Sequence, residues 1–164
     1  MAQNLQNFFL VNIMGEDPQD PENFQIAYSN EPRISIDTFC QLFDDHSRFE
    51  NFIVIDCRSA REYEGGHIKN AIRCYPSENK SNISKLYKKI WKPRSIYIFH
   101  CEYSANRGPT GLNQFTEAHN KSENKNMLLH AFVLDGGYRK FYASHPEYCD
   151  GEYTPEGFGL LFDD

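Results

Sequence analysis

Apolar residues fall along this chain in two kinds of run. One kind is short and unbroken: NFIVIDC from Asn51, SIYIFHC from Ser95, and HAFVL from His130 to Leu134. Runs of that length and character suit strands buried on both faces of a parallel sheet. The other kind is spaced three and four residues apart, the period of a helix with one buried side. In SIDTFCQLF, Ser35 offers a cap and Phe39, Leu42 and Phe43 form the stripe. In NISKLYKKIWK the stripe is Ile83, Leu86, Tyr87 and Ile90, and Pro93 ends it. PTGLNQFTEAHNK reads as a helix after the second strand, and a Gly-Gly turn leads from the third strand into another. SAREYEGGHI predicts a single helical turn stopped by Gly65-Gly66. Strands alternating with helices predict an α/β domain built on a central parallel sheet.

A length of 164 residues suits one such domain, and 40% apolar residues suffice for its core. GEDPQDPENF, from Gly15 to Phe24, is polar, acidic and Pro-containing, the composition of a loop or linker. Residues 1–32 are therefore expected to form an N-terminal arm, 33–155 the domain, and 156–164 a short acidic tail. The apolar patch in MAQNLQNFFLVNIMGED has no basic stretch before it and is broken by Asn12, so it reads as neither a signal peptide nor a membrane span.

A formal net charge of -6 argues against nucleic acid as a partner, and any anion must be held by a local site. The aromatic residues, ten Tyr and thirteen Phe, are not interleaved with basic ones, so they read as core rather than as a stacking surface. Cysteines number five, an odd count, and no C-x-x-C pair occurs. That pattern disfavours a disulfide framework or a zinc site and suits reduced thiols in the cytoplasm or nucleus.

The candidate chemistry lies in HCEYSANRGP, from His100 to Pro109, between the second strand and its helix. A loop joining a parallel strand to a helix can aim several N–H groups into one concavity, to which the helix N-terminus adds positive potential. Such a nest binds a phosphate-like anion. The same field lowers a thiol pKa from about 8.5 toward roughly 3.5–7.5. Cys101 stands where it gains that field. Arg107 stands at the far end of the loop, where its planar fork can grip two phosphate oxygens. Gly108 relaxes the exit, and Pro109 fits the first helical position. His100, one residue earlier on the strand, should face away from Cys101 and orient the loop through a hydrogen bond.

These residues also carry a family resemblance. HCEYSANRGP resembles the active-site loop of the M-phase inducer phosphatases, the cell-division-cycle twenty-five family. VIDCRSAREYEGGHIKNAI (Val54 to Ile72) and VLDGGYRKFYASHPEYC (Val133 to Cys149) are similar to two further segments of that family, in the same order. The resemblance implies a rhodanese-like fold with helices on both faces of the sheet. It implies a cysteine-dependent protein phosphatase acting on phosphotyrosine or phosphothreonine, with no metal or other cofactor. Cys101 would be the nucleophile. Glu102, Tyr103, Ser104, Ala105, Asn106 and Arg107 would form the phosphate-binding loop, and Arg107 would also be catalytic. A phosphoprotein partner is implied, with a cyclin-dependent kinase as its family-level identity, and no membrane. Cys57 matches the family's second cysteine, which can form a disulfide with the first.

Two departures from the family stand out. Its members often carry an acidic residue just before the loop arginine; here that position is Asn106, which leaves Glu102 as the candidate general acid. The family's C-terminal helix, implicated in docking the kinase substrate, is expected to be missing here or replaced by the acidic GLLFDD. An arsenate reductase of the same fold, and a phosphate-binding module without turnover, stay open as alternatives. Asp56 and Arg58 are expected to organise their turn, Glu64 to pair with an arginine near the loop or to be solvated, and His67 to be structural.

Overall fold

The computed structural model describes residues 31–153. The expected arm and tail therefore lie almost wholly outside the described residues. Among the described residues, five strands make one sheet: β1 (Arg33–Ile34), β2 (Asn51–Asp56), β4 (Ile72–Arg73), β5 (Ser95–His100) and β6 (His130–Leu134), in the order β1-β6-β5-β2-β4. Every neighbouring pair is parallel. The ladder between β2 and β5 runs from Asn51 opposite Ser95 to Asp56 opposite His100. The ends of the two strands are thus level, and Cys57 and Cys101 follow side by side.

Among the described residues, five helices cover the sheet: α1 (Ile36–Asp44), α2 (Ala60–Glu64), α3 (Ser81–Ile90), α4 (Arg107–Asn120) and α5 (Gly137–Ser144). Ser35 caps α1 as expected, its hydroxyl accepting from the Thr38 N–H at 3.1 Å. Strand side chains alternate between two cores. Val54, Ile96, Ile98, Phe132 and Leu134 pack with Phe39 and Leu42 of α1 and Phe141 of α5. Ile55, Tyr97, Phe99, Ala131 and Val133 pack with Ile83 and Leu86 of α3 and Leu112 and Phe115 of α4. A strand covered on both sides must be apolar at every position, which is why these segments read as unbroken runs. Each side chain fully buried this way contributes roughly 1.5–3 kcal/mol.

Pro109 is not the first helical residue, because α4 already begins at Arg107. Its ring occupies the third position, still within the turn whose N–H groups have no intrahelical partner. Three short elements carry no clear periodicity: a 3-10 turn at Pro146–Tyr148, β3 (His67–Ile68) and β7 (Cys149–Asp150). β3 and β7 pair antiparallel, which brings the end of the described chain back beneath the Gly65-Gly66 turn. No helix among the described residues is long and apolar enough to cross a membrane.

Candidate active site

The loop between β5 and α4 is shaped by what its carbonyls bind. Cys101 O accepts from the Tyr138 N–H at 2.9 Å, Glu102 O from the Arg139 N–H at 3.0 Å, and Ser104 O from the Arg33 guanidinium at 2.7 Å. Across a planar trans peptide the carbonyl and the next N–H point in opposite directions. Three carbonyls drawn outward therefore turn the N–H groups of Glu102, Tyr103 and Ala105 toward the inside of the loop. Ser104 supplies the sharp turn with φ +57°, a left-handed residue in the run that makes an anion nest.

Two of the three donors that draw the loop outward are the first N–H groups of α5, those of Tyr138 and Arg139. Gly137 is required for that close approach. A Cβ there would stand 2.4 Å from Glu102 O, and its φ is +68°. His100 adds a further bond from the sheet side, its Nδ1–H donating to Cys101 O at 3.1 Å. The imidazole stacks toward Tyr138 of α5 while Cys101 belongs to the opposite core, the expected alternation.

Cys101 is fully buried, and its Sγ accepts the Gly108 N–H at 2.9 Å, a bond from the first turn of α4. A backbone donor on sulfur at a helix N-terminus favours the thiolate. Cys57 lies in the same core cluster, and its N–H donates to His100 O at 2.8 Å. Adjacent strands run about 4.8 Å apart, inside the Cα separation a disulfide spans. Burial, with a smaller contribution from the neighbouring Cys101, pushes the Cys57 thiol well above its ordinary range. All five cysteines are unbridged. Gly111 lets α4 pass over this pair, since a Cβ would come within 2.5 Å of Cys57 Sγ.

Arg107 is 7% exposed and forms a two-pronged ion pair with Glu62, at 2.6 and 3.1 Å. The carboxylate beside the loop arginine is thus Glu62; Glu64 is exposed and takes no part, because it sits on the solvent side of α2. Glu62 also closes a capping box. Its Oε2 accepts the Ser59 N–H at 2.9 Å, and the Ser59 hydroxyl accepts the Glu62 N–H at 3.3 Å. Burial works to raise the Glu62 pKa, but the Arg107 and Ser59 hydrogen bonds and the guanidinium charge outweigh it and hold the carboxyl below its ordinary value. The S-x-x-E spacing of Ser59 and Glu62 was the sequence signal that could have found it.

Glu102 points into a buried network. Its carboxyl takes an ion pair from Arg58 at 3.3 Å and a short hydrogen bond from the Tyr153 hydroxyl, and the residue is 1% exposed. Burial raises its pKa against the effects of Tyr153 and Arg58. Arg58 in turn holds Asp56 at 2.8 Å and Gly66 O at 2.7 Å, and lies 4.1 Å over the Tyr138 ring. Asp56 and Arg58 therefore organise their turn, as expected. Burial opposes ionisation of Asp56, but His100 and Arg58 beside it lower its pKa overall. His67 stacks on Tyr63 at 3.8 Å, a structural role.

Three of the loop's four remaining members stand at the surface. Tyr103 is 36% exposed, with its hydroxyl accepting from Arg139 at 2.8 Å. Ala105 and Asn106 are exposed, while Ser104 is buried with its hydroxyl facing the Cys101 N–H at 3.5 Å. Among the described residues, no group of three or more His, Cys, Asp or Glu is placed to hold a metal ion.

A doubly covered parallel sheet with a thiol-bearing anion loop at the strand ends defines a rhodanese-like domain. Residues 40–144 match that family, and the chain belongs to it. Within it the likeness is to the M-phase inducer phosphatases. M-phase inducer phosphatase 2 of Mus musculus is 38% identical over 114 residues, which is 65% of this chain and 19% of that protein. The M-phase inducer phosphatase of Dictyostelium discoideum is 36% identical over 107 residues, 61% of this chain and 10% of that one. The chain thus spans about a fifth or less of the curated relatives it matches. Among solved structures, an As-Sb reductase from Leishmania major shares 26% identity at a TM-score of 0.59, covering 76% of this chain and 88% of that one. A yeast protein tyrosine phosphatase of the rhodanese family, at 20% identity and a TM-score of 0.62 over 74% and 92% of the two chains, shares the fold.

Proposed function

We propose that this chain is a cysteine-dependent protein phosphatase in which Cys101 carries the phosphoryl group. The observation that carries the reading is the Gly108 N–H on Cys101 Sγ within a loop whose carbonyls are drawn outward. The Cys101 thiolate attacks phosphorus, the P–S bond forms and the P–O bond to the substrate side chain breaks. The N–H groups of Glu102 through Arg107 hold the equatorial oxygens, and Arg107 stabilises the charge that moves onto them. Water then attacks the thiophosphate, releasing inorganic phosphate and restoring the thiolate.

Arg107 can serve two masters because a guanidinium has five N–H donors and the Glu62 pair uses only part of them. The departing oxygen takes its proton from water at the loop's open side. Glu102 is assigned a positioning role instead, since its carboxyl is buried between Arg58 and Tyr153. The substrate is a phosphoprotein, a cyclin-dependent kinase being what the family resemblance implies, in the cytoplasm or nucleus.

The Leishmania major reductase supports a second reading, arsenate reduction, to which Asn106 before the arginine is also suited. Phosphotyrosine-peptide hydrolysis and thiol-coupled arsenate reduction should be measured side by side, with Cys101→Ser as the control. The expected result is peptide turnover that the serine variant loses while it still binds tungstate, because the nest is backbone. Turnover unchanged in that variant would remove Cys101 from the mechanism. Arsenate reduction with no peptide hydrolysis would select the second reading.

A further inference from the structure

A second anionic feature of the substrate has a place to bind on this chain. A cavity of about 350 Å³ opens beside the edge strand β4, walled by Arg73 and Tyr75 on one side and by Asn82, Lys85 and Lys89 of α3 on the other. The two walls are tied, since Asn82 Nδ2 donates to Tyr75 O at 2.9 Å. Asn82, Lys85 and Lys89 recur at helical spacing, one step round from the buried Ile83 and Leu86. Tyr75 is 44% exposed, a large aromatic surface beside the cations.

Charge singles this groove out. The chain is acidic overall, yet no carboxylate lines the cavity. Three cations, Arg73, Lys85 and Lys89, converge on it instead. A local cationic groove on an acidic protein attracts and orients an acidic segment that the rest of the surface repels.

The register of the sheet fixes where the groove lies. Arg73 is level with Asp56, and Asp56 with His100. With strands about 4.8 Å apart, Arg73 lies about 10 Å from the root of the Cys101 loop, at the same end of the sheet. An extended peptide covers that distance in about three residues. We propose that this groove binds an acidic stretch of the phosphoprotein, beginning about three to five residues from the phosphorylated side chain. The assignment deepens the phosphatase reading and rests on it.

The test pairs kinetics with binding. Two phosphotyrosine peptides differ only at positions three to five on either side of the phosphotyrosine, with Asp and Glu in one and Asn and Gln in the other. The wild-type chain should hydrolyse the acidic peptide about tenfold more efficiently, the combined effect of three exposed ion pairs. The preference should vanish in about 0.5 M salt and in R73E/K85E/K89E. That variant should keep its Tm and its hydrolysis of p-nitrophenyl phosphate, and the milder K85A/K89A should fall between. Equal efficiency on the two peptides, or a preference that survives the charge reversal, overturns the proposal.

If neither peptide nor p-nitrophenyl phosphate is hydrolysed, the phosphatase reading fails by itself. The groove is then judged by fluorescence anisotropy of the acidic peptide without its phosphate. Binding to wild type that R73E/K85E/K89E loses supports the groove, and equal binding to both overturns it. A single-stranded RNA of the same charge that binds more tightly than the peptide overturns the assignment to polypeptide.

Discussion

Arg107 and Glu62 show how little freedom the site leaves a single side chain. A two-pronged ion pair fixes the guanidinium plane as well as its charge, and Glu62 is itself fixed by the cap it forms with Ser59. Lysine in place of Arg107 keeps the charge and loses the plane. Arg107→Lys should therefore lower kcat by about 10²-fold or more, the scale of removing a transition-state donor. A lysine variant with near-normal kcat would show that the arginine only braces the loop. The thiol pair leads to a second expectation. Peroxide converts a reactive thiolate to a sulfenic acid, and a neighbouring thiol then expels water to form a disulfide. Cys57 ends the strand beside Cys101 and shares its core. Mild peroxide should give a Cys101–Cys57 bond with loss of turnover, reversed by a dithiol. Cys57→Ser should be inactivated as readily and recover poorly. Peptide mapping that finds Cys101 joined to Cys40, Cys74 or Cys149 would sink this pairing.

At the scale of elements, the Cys101 loop is held from outside by α5. The first N–H groups of that helix take Cys101 O and Glu102 O, and only glycine at position 137 allows the approach. Gly137→Ala should lower Tm by several degrees and weaken tungstate binding at least about tenfold, since a Cβ at φ +68° is strained and meets Glu102 O. Tungstate affinity unchanged in a folded alanine variant would detach the helix from the loop's geometry. The sequence was legible where the physics is local. Unbroken runs announced the doubly buried strands, and Ser35 announced α1. The spacing from Cys101 to Arg107 between strand and helix announced the nest. It was silent where distant segments meet. Arg33 reaches Ser104 across 71 residues, and Tyr153 reaches Glu102 across 51. No periodicity encodes such contacts. Glu62 lies between these cases: its capping spacing was readable, but its partner lies 45 residues away.

The molecule as a whole places ionisable groups in both its cores and at the strand ends between them, and this sets how it meets acid. His130 begins β6, is 6% exposed, and stacks edge-on with Phe49. Burial lowers its pKa from 6.5 to about 4. Between those two values the unfolded chain carries a proton at His130 that the folded chain refuses. Stability there rises with pH, and acidification from pH 6.5 to about 4 removes it progressively. The full window is worth roughly 3 kcal/mol at about 1.4 kcal/mol per pH unit. Asp56 and Glu62 act lower down. Their folded pKa values are depressed, so their contribution is complete above the ordinary carboxylate range and is lost only as pH falls through the depressed values. The acid transition should thus have two stages, a histidine stage followed by a carboxylate stage that opens the Arg58 and Arg107 ion pairs. Tm measured from pH 7 to pH 3 resolves them. His130→Leu, which cannot titrate, should flatten the first stage and leave the second in place. A leucine variant that loses Tm as steeply as wild type between pH 6.5 and 4 would take His130 out of the acid response.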